Sequence, residues 1–133
     1  ILLFCLGILG TETIFGQGVR RVSHQAFVTT DASSVRFNID PSLVEVRSTK
    51  GSRVLVESNI HMNVKNISLL DFAIGTGRYE LESNMQGSIL VITPKERIHP
   101  IMMKGDEVVE TITYTLFMPE GLEEKDTDNT AAN

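Results

Sequence analysis

Residues 53–65 keep a two-residue period, with Leu55 and Ser58 as its exceptions. The even positions read Val54, Val56, Ser58, Ile60, Met62 and Val64, and the odd positions Arg53, Leu55, Glu57, Asn59, His61, Asn63 and Lys65. Side chains repeat every two residues along a strand but only every 3.6 along a helix. The stretch therefore predicts a long strand with one face on a core and the other in water. Such a strand cannot stand alone: it needs neighbours in a sheet and a second layer against its apolar face. This one segment constrains the chain to a layered, sheet-based fold.

Shorter segments repeat the pattern. Residues 35–39 alternate until Asp40-Pro41-Ser42 breaks them, and residues 44–47 alternate before a turn over 49–52. Residues 78–82 alternate and lead into a turn over 84–87. Residues 88–93 are apolar on both faces through Ile89, Leu90, Val91 and Ile92, the mark of a central strand, and Pro94 stops them. Residues 98–103 read as a short strand interrupted by Pro100. The last long strand covers 108–118, with Ile112, Tyr114, Leu116 and Met118 inward and Thr111, Thr113 and Thr115 outward. Short turns between successive strands predict a mostly antiparallel meander or sandwich.

One segment breaks the period. Ser68-Leu69-Leu70-Asp71 has the form of a helix start, with Ser68 as N-cap and Asp71 in the capping-box position. Leu69, Leu70 and Ala73 share a face and Gly75 is placed to end the turn. The expectation is one short helix over 68–74; the alternative is a strand with Leu70, Phe72 and Ile74 inward. The fold class expected is all-β with this single helix.

Residues 1–10, ILLFCLGILG, are apolar or glycine throughout. A membrane-spanning helix needs about 20 such residues and a signal-peptide core about 7–15, so the length fits the second. Gly16 supplies the small side chain needed for cleavage before Gln17. The expected organisation is a signal peptide over 1–16, a single β domain over 17–122 and a disordered acidic tail over 123–133, with no membrane span in the mature chain. An ordinary buried strand is the alternative for 1–10. Lipidation at Cys5 is disfavoured by the bulky Phe4 before it. Removing 1–16 takes away Cys5, the single cysteine, and with it any disulfide, thiolate zinc site or cysteine nucleophile. Export to the periplasm or cell surface is the compartment this implies.

Composition excludes further classes. With 133 residues the chain has the length of one domain, and 41% hydrophobic content is enough for a core. A net charge of −5 argues against a nucleic-acid partner, which requires a basic face. Tryptophan is absent and aromatics make up 6%, so a stacking platform for bases or sugars is poorly supplied.

Residues with chemical potential are scattered. His24, His61 and His99 stand far apart, without ligands at metal spacing, and Gly75-Thr76-Gly77 lacks the length and lysine of a phosphate loop. Asp126-Thr127-Asp128-Asn129 has the form of a calcium-loop start but lacks the glycine and closing glutamate. Glu80 and Glu82, on one strand face, would stand about 6.5–7 Å apart. That spacing suits paired carboxylates in glycoside hydrolysis and equally a solvated strand face. Asn66-Ile67-Ser68 is a glycosylation sequon. The polar face around Asn59, His61 and Asn63, and the outward ladder of Thr111, Thr113 and Thr115, are the tentative binding residues. The ladder suits both solubility and strand-by-strand association.

The segments VEVRSTKGSRVLVE, GRYELES and YTLFMPEGL resemble the opening section of adhesin-like, β-rich proteins exported by Bacteroidetes. Tyr114, Leu116, Pro119 and Gly121 match the tyrosine–hydrophobic–proline–glycine strand end of that family, and Gln17 after a small residue is similar to its cleavage site. The resemblance covers residues 35–122 and implies an exported, non-enzymatic β protein with no catalytic residues to carry over. Family members commonly run on into glycine-rich β-helical repeats, whereas an acidic segment follows here, so a compact sheet domain is expected.

The functional expectation is an accessory or binding subunit of a periplasmic or cell-surface assembly, with a protein partner in an outer-membrane or surface complex. The alternative is a small-ligand or glycan-binding domain using the polar face of residues 53–65. No catalytic residue, cofactor or metal is expected.

Overall fold

The computed structural model describes residues 18–125. The signal-peptide reading of 1–16, the cut before Gln17, Cys5 and the segment 126–133 lie outside them. Within the described residues the fold is all-β with one short helix. The strands are β1 (Val19–Val28), β2 (Ser34–Phe37), β3 (Val44–Thr49), β4 (Arg53–Met62), β5 (Leu81–Gln86), β6 (Ile89–Pro94), β7 (Ile101–Met103), β8 (Asp106–Val108), β9 (Glu110–Pro119) and β10 (Glu123–Lys125). Helix α1 spans Ile67–Gly75, and a 3-10 turn covers Pro41–Leu43.

Two four-stranded sheets face each other. The front sheet has the order β1-β4-β9-β3 and the back sheet β10-β2-β6-β5, while β7 and β8 form a separate hairpin. Both sheets are mixed. β1–β4, β4–β9 and β5–β6 pair antiparallel, but β3–β9, β2–β6 and β2–β10 pair parallel. The layered arrangement is the one expected, but the meander order is not. The turn over 50–52 joins β3 to β4 without making them neighbours, because β9 inserts between them. Every inner position of β9 from Ile112 to Met118 is apolar, which suits it to pairing on both sides. β3, whose inner-facing Val46 is 43% exposed, is left at the edge.

Further boundaries differ from expectation: the strand expected over 98–103 begins only after Pro100, at Ile101, and the one expected over 108–118 is split into β8 and β9. β1 was not evident in the sequence. Its register against β4 puts Val19, Arg21, Ser23, Gln25 and Phe27 on the inner face and Arg20, Val22, His24, Ala26 and Val28 on the outer. Both sets mix polar and apolar residues, as an edge strand permits, so no clean alternation marks it. β5 begins at Leu81 rather than 78, because Gly77 turns at φ 85° and Arg78 and Tyr79 are drawn toward β9. Residues Glu123–Lys125, expected in the tail, extend the back sheet as β10 beside β2.

The core divides along the length of the front sheet. Phe27, Val54, Val56, Tyr114, Leu116 and Met118 pack against Val35, Phe37, Leu81, Leu90 and Ile92 of the back sheet. Further along, Ile60 and Met62 pack against Leu70 and Ala73 of α1, Tyr79, and Val108 of β8. Ser58, buried between Val56 and Ile60 on β4, sits where one cluster gives way to the other. Truncating a fully buried member such as Leu116 or Ile60 to Ala costs about 2–5 kcal/mol. The Gln25 side chain ties the layers at the border. Its Oε1 accepts from Leu81 N at 2.9 Å and its Nε2 donates to Leu81 O at 3.0 Å.

α1 is capped two residues earlier than its sequence suggests. The N-cap is Asn66, whose side chain accepts from Ser68 N at 2.8 Å. Asp71, assigned to a capping box, instead meets Arg21 of β1 across two hydrogen bonds of 2.8 and 3.2 Å. That contact fastens the helix over the inner face of the front sheet.

Candidate functional site

Among the described residues, one face of the front sheet has no layer against it. Its register is set by β4, which pairs with β1 on one side and β9 on the other. Arg20 lies opposite His61, and His61 opposite Thr111. In the next row of this outer face Val22 lies opposite Asn59, and Asn59 opposite Thr113. Directly opposed residues project on the same side with Cβ atoms about 4.5–5.5 Å apart. The two short threonines leave room between longer neighbours. Arg20, Asn59, His61, Thr111 and Thr113 thus line a shallow depression of about 360 Å³.

Two features make this patch unusual on the molecule. Among the described residues, no hydrogen bond or ion pair engages the side chains of these five, whereas the carboxylates of the next row have basic partners. There Glu57 Oε2 stands 3.5 Å from His24 Nε2, and Glu45 pairs with Arg47 at 3.0 Å. His61 is also packed from one side. A Cβ built on Gly18 would fall 2.6 Å from His61 Nε2 and 2.7 Å from Met62 O, with φ at 130°. Only glycine lets the chain cross the imidazole this closely.

Four of the six residues expected at a binding face, Asn59, His61, Thr111 and Thr113, therefore converge. The other two do not. Thr115 stands one row along, between Glu57 and Glu45. Asn63 is taken up by the backbone, its Oδ1 accepting from Val109 N at 2.6 Å and its N–H donating to Val109 O at 3.1 Å. Arg20 joins the site unforeseen, because the strand that carries it has no legible period.

The most tightly knit polar cluster lies elsewhere and was not foreseen either. The Arg78 guanidinium meets Glu110 in two parallel bonds, Nε to Oε1 at 2.8 Å and Nη2 to Oε2 at 2.7 Å, with side chains 18% and 9% exposed. Tyr79 donates its hydroxyl to Glu110 Oε1 at 2.6 Å, and Arg78 also donates to the His99 carbonyl. Arg78 Cζ stands 5.8 Å from the centre of the Tyr79 ring. Burial pushes the Glu110 carboxyl up, but the bonds from Arg78 and Tyr79 outweigh it and hold the group below its usual range. Burial and the adjacent carboxylate push the Tyr79 phenol well up, so it stays a donor. Each charged group is engaged by another, which makes the cluster a clasp between the turn after α1, the segment before β7 and the start of β9.

The carboxylate pair considered for glycoside hydrolysis is not assembled. Glu80 lies in the turn before β5 and approaches Lys95 at 3.6 Å, whereas Glu82 is on the strand itself. Among the described residues, no three of His, Cys, Asp and Glu gather as metal ligands would, and no helix is long and apolar enough to cross a membrane. Asn66 of the sequon is the exposed cap of α1, and Gly75-Thr76-Gly77 forms its C-terminal end. Two clefts flank Leu69 on that helix. One of about 570 Å³ includes Lys65, Met103 and Asp106, and one of about 390 Å³ includes Phe72, Arg97 and Ile101. Phe72 is 70% exposed beside them.

Comparison with protein-family models, curated proteins and solved structures finds no match to this chain.

Proposed function

We propose that this chain is a non-enzymatic binding domain that takes a small polar ligand or glycan on the outer face of its front sheet. The observation that carries the reading is the convergence of Arg20, Asn59, His61, Thr111 and Thr113 in one depression, with side chains unengaged among the described residues. Unengaged donors and acceptors on a rigid ladder are preorganised for an external partner, because little order is lost on binding. The titratable cluster best placed for chemistry, Arg78–Tyr79–Glu110, is saturated by its own members, which supports a binding rather than a catalytic role. The apolar run at 1–10 and the resemblance to adhesin-like exported proteins support a periplasmic or cell-surface location.

A glycan array probed with the wild-type chain and with Thr113→Arg tests the reading. The longer arginine side chain occupies space in the depression from its β9 side. Binding by the wild type that is lost in the variant is the expected result, and retention of binding by Thr113→Arg contradicts it.

A second reading rests on a different observation. Phe72, Met102 and Met103 are exposed at 70%, 60% and 43% around α1 and the β7–β8 hairpin. Exposed apolar side chains grouped beside clefts suit a protein partner, as an accessory subunit of a surface assembly would need. On that reading a complex recovered with a defined partner is lost with Phe72→Asp and kept with Thr113→Arg.

A further inference from the structure

We infer that the depression on the front sheet recognises an oxyanion carried on a sugar, the carboxylate or sulfate of an acidic surface polysaccharide. This rests on the reading of the outer face as the ligand site and names the class of ligand it takes.

The first argument is the balance of donors and acceptors. The guanidinium of Arg20 supplies five N–H donors and no acceptor, the Asn59 amide two donors, and His61, Thr111 and Thr113 at least one each. No carboxylate lines the depression. In a chain with 17 acidic and 12 basic residues that is a local reversal of sign. A donor-rich, cationic patch matches a group that only accepts, and charge-assisted bonds to such a group are about twice as strong as neutral ones.

The second argument is the absence of a stacking surface. Neutral sugars are held largely by aromatic rings against their apolar faces. No aromatic lines the depression, and Phe117, the nearest outer-face ring along β9, is four residues beyond Thr113, about 13 Å away. Affinity at this site has to come from charge and hydrogen bonding.

The third argument is polarity along the face. Glu57 and Glu45 occupy the row beyond Asn59 and Thr113. Those carboxylates stand beside basic partners, His24 and Arg47, whereas Arg20 has no ion-pair partner among the described residues, so an anion is drawn to the Arg20 end. Gly18 backs the His61 ring, so the donor-rich end is presented by a positioned imidazole and an exposed guanidinium. The depression is shallow and lies at the small end of ligand-site volumes, which suits one acidic residue of a longer chain.

The test is isothermal titration of the full chain with three oligosaccharides of equal length: one of uronic acids, one sulfated and one neutral. At least one acidic probe is expected to bind, to weaken as salt rises, and to exceed the neutral probe by about tenfold or more. The acidic probe that binds identifies whether the carboxylate or the sulfate is the natural source. Arg20→Gln, at an exposed position, is expected to lower that binding by about tenfold while Thr115→Ala, one row away, changes it by less than about twofold. Equal binding of the neutral probe, still blocked by Thr113→Arg, overturns the anion preference and leaves the site reading intact. Binding that is indifferent to both Arg20→Gln and Thr113→Arg overturns both. No binding of any probe overturns the inference.

Discussion

Glu110, the first residue of β9, receives both forks of the Arg78 guanidinium at 2.8 and 2.7 Å, joining two segments 32 residues apart. The pair is largely out of water, so removing one member leaves the other uncompensated. Glu110→Gln is expected to lower stability by about 2–3 kcal/mol at pH 7, and Tyr79→Phe by about 1.5 kcal/mol through the lost bond to the carboxylate. The folded-state pKa of Glu110 is depressed. Its contribution is therefore complete above the unfolded value of about 4.3 and is lost as pH falls through the folded value. Urea denaturation across pH checks this: the gap between wild type and Glu110→Gln narrows below about pH 4.3, and a gap independent of pH contradicts the account.

What the sequence disclosed followed from burial contrast. β4 and β9 show a two-residue period because one face of each is more deeply buried than the other. The outward direction of Asn59, His61, Thr111 and Thr113 could be read from those two segments alone. Their meeting could not, since the register that sets His61 opposite Thr111 joins residues distant in sequence. Arg20 was invisible because β1, at a sheet edge, carries Arg21, Ser23 and Gln25 on its inner side, and two of these have uses that period-two reasoning does not recognise. Arg21 holds Asp71 and Gln25 holds Leu81. The parallel pairing of β3 with β9 was hidden for a related reason. A turn as short as 50–52 ordinarily signals a hairpin, and nothing local announces that a third strand will slot between its arms.

The helix start discriminates between two caps. Asn66 accepts from Ser68 N, so Asn66→Ala is expected to cost about 1 kcal/mol, whereas Ser68→Ala, at the position the sequence suggested, costs a few tenths. Thermal or urea unfolding of the two variants side by side checks the assignment. Equal losses would contradict it.

Gly18 links the backbone to the binding face. Any side chain there meets both the His61 ring and the Met62 carbonyl, and the φ of 130° is one that only glycine adopts readily. Gly18→Ala is expected to cost about 1–3 kcal/mol and to displace the imidazole. Two-dimensional NMR of the His61 side chain, compared with wild type, reads the displacement directly. An unchanged His61 environment with unchanged stability would contradict the packing described.

The central claim, that the outer face of the front sheet is where this chain meets its ligand, is tested most directly by mapping the site. The ¹⁵N-labelled chain is titrated with an acidic oligosaccharide and its amide shifts are followed residue by residue. The account predicts that the largest changes cluster at Arg20, Asn59, His61, Thr111 and Thr113 across the three adjacent strands. Changes centred instead on Phe72, Leu69 and Met102 around α1 and the β7–β8 hairpin, or no changes at all, would contradict it.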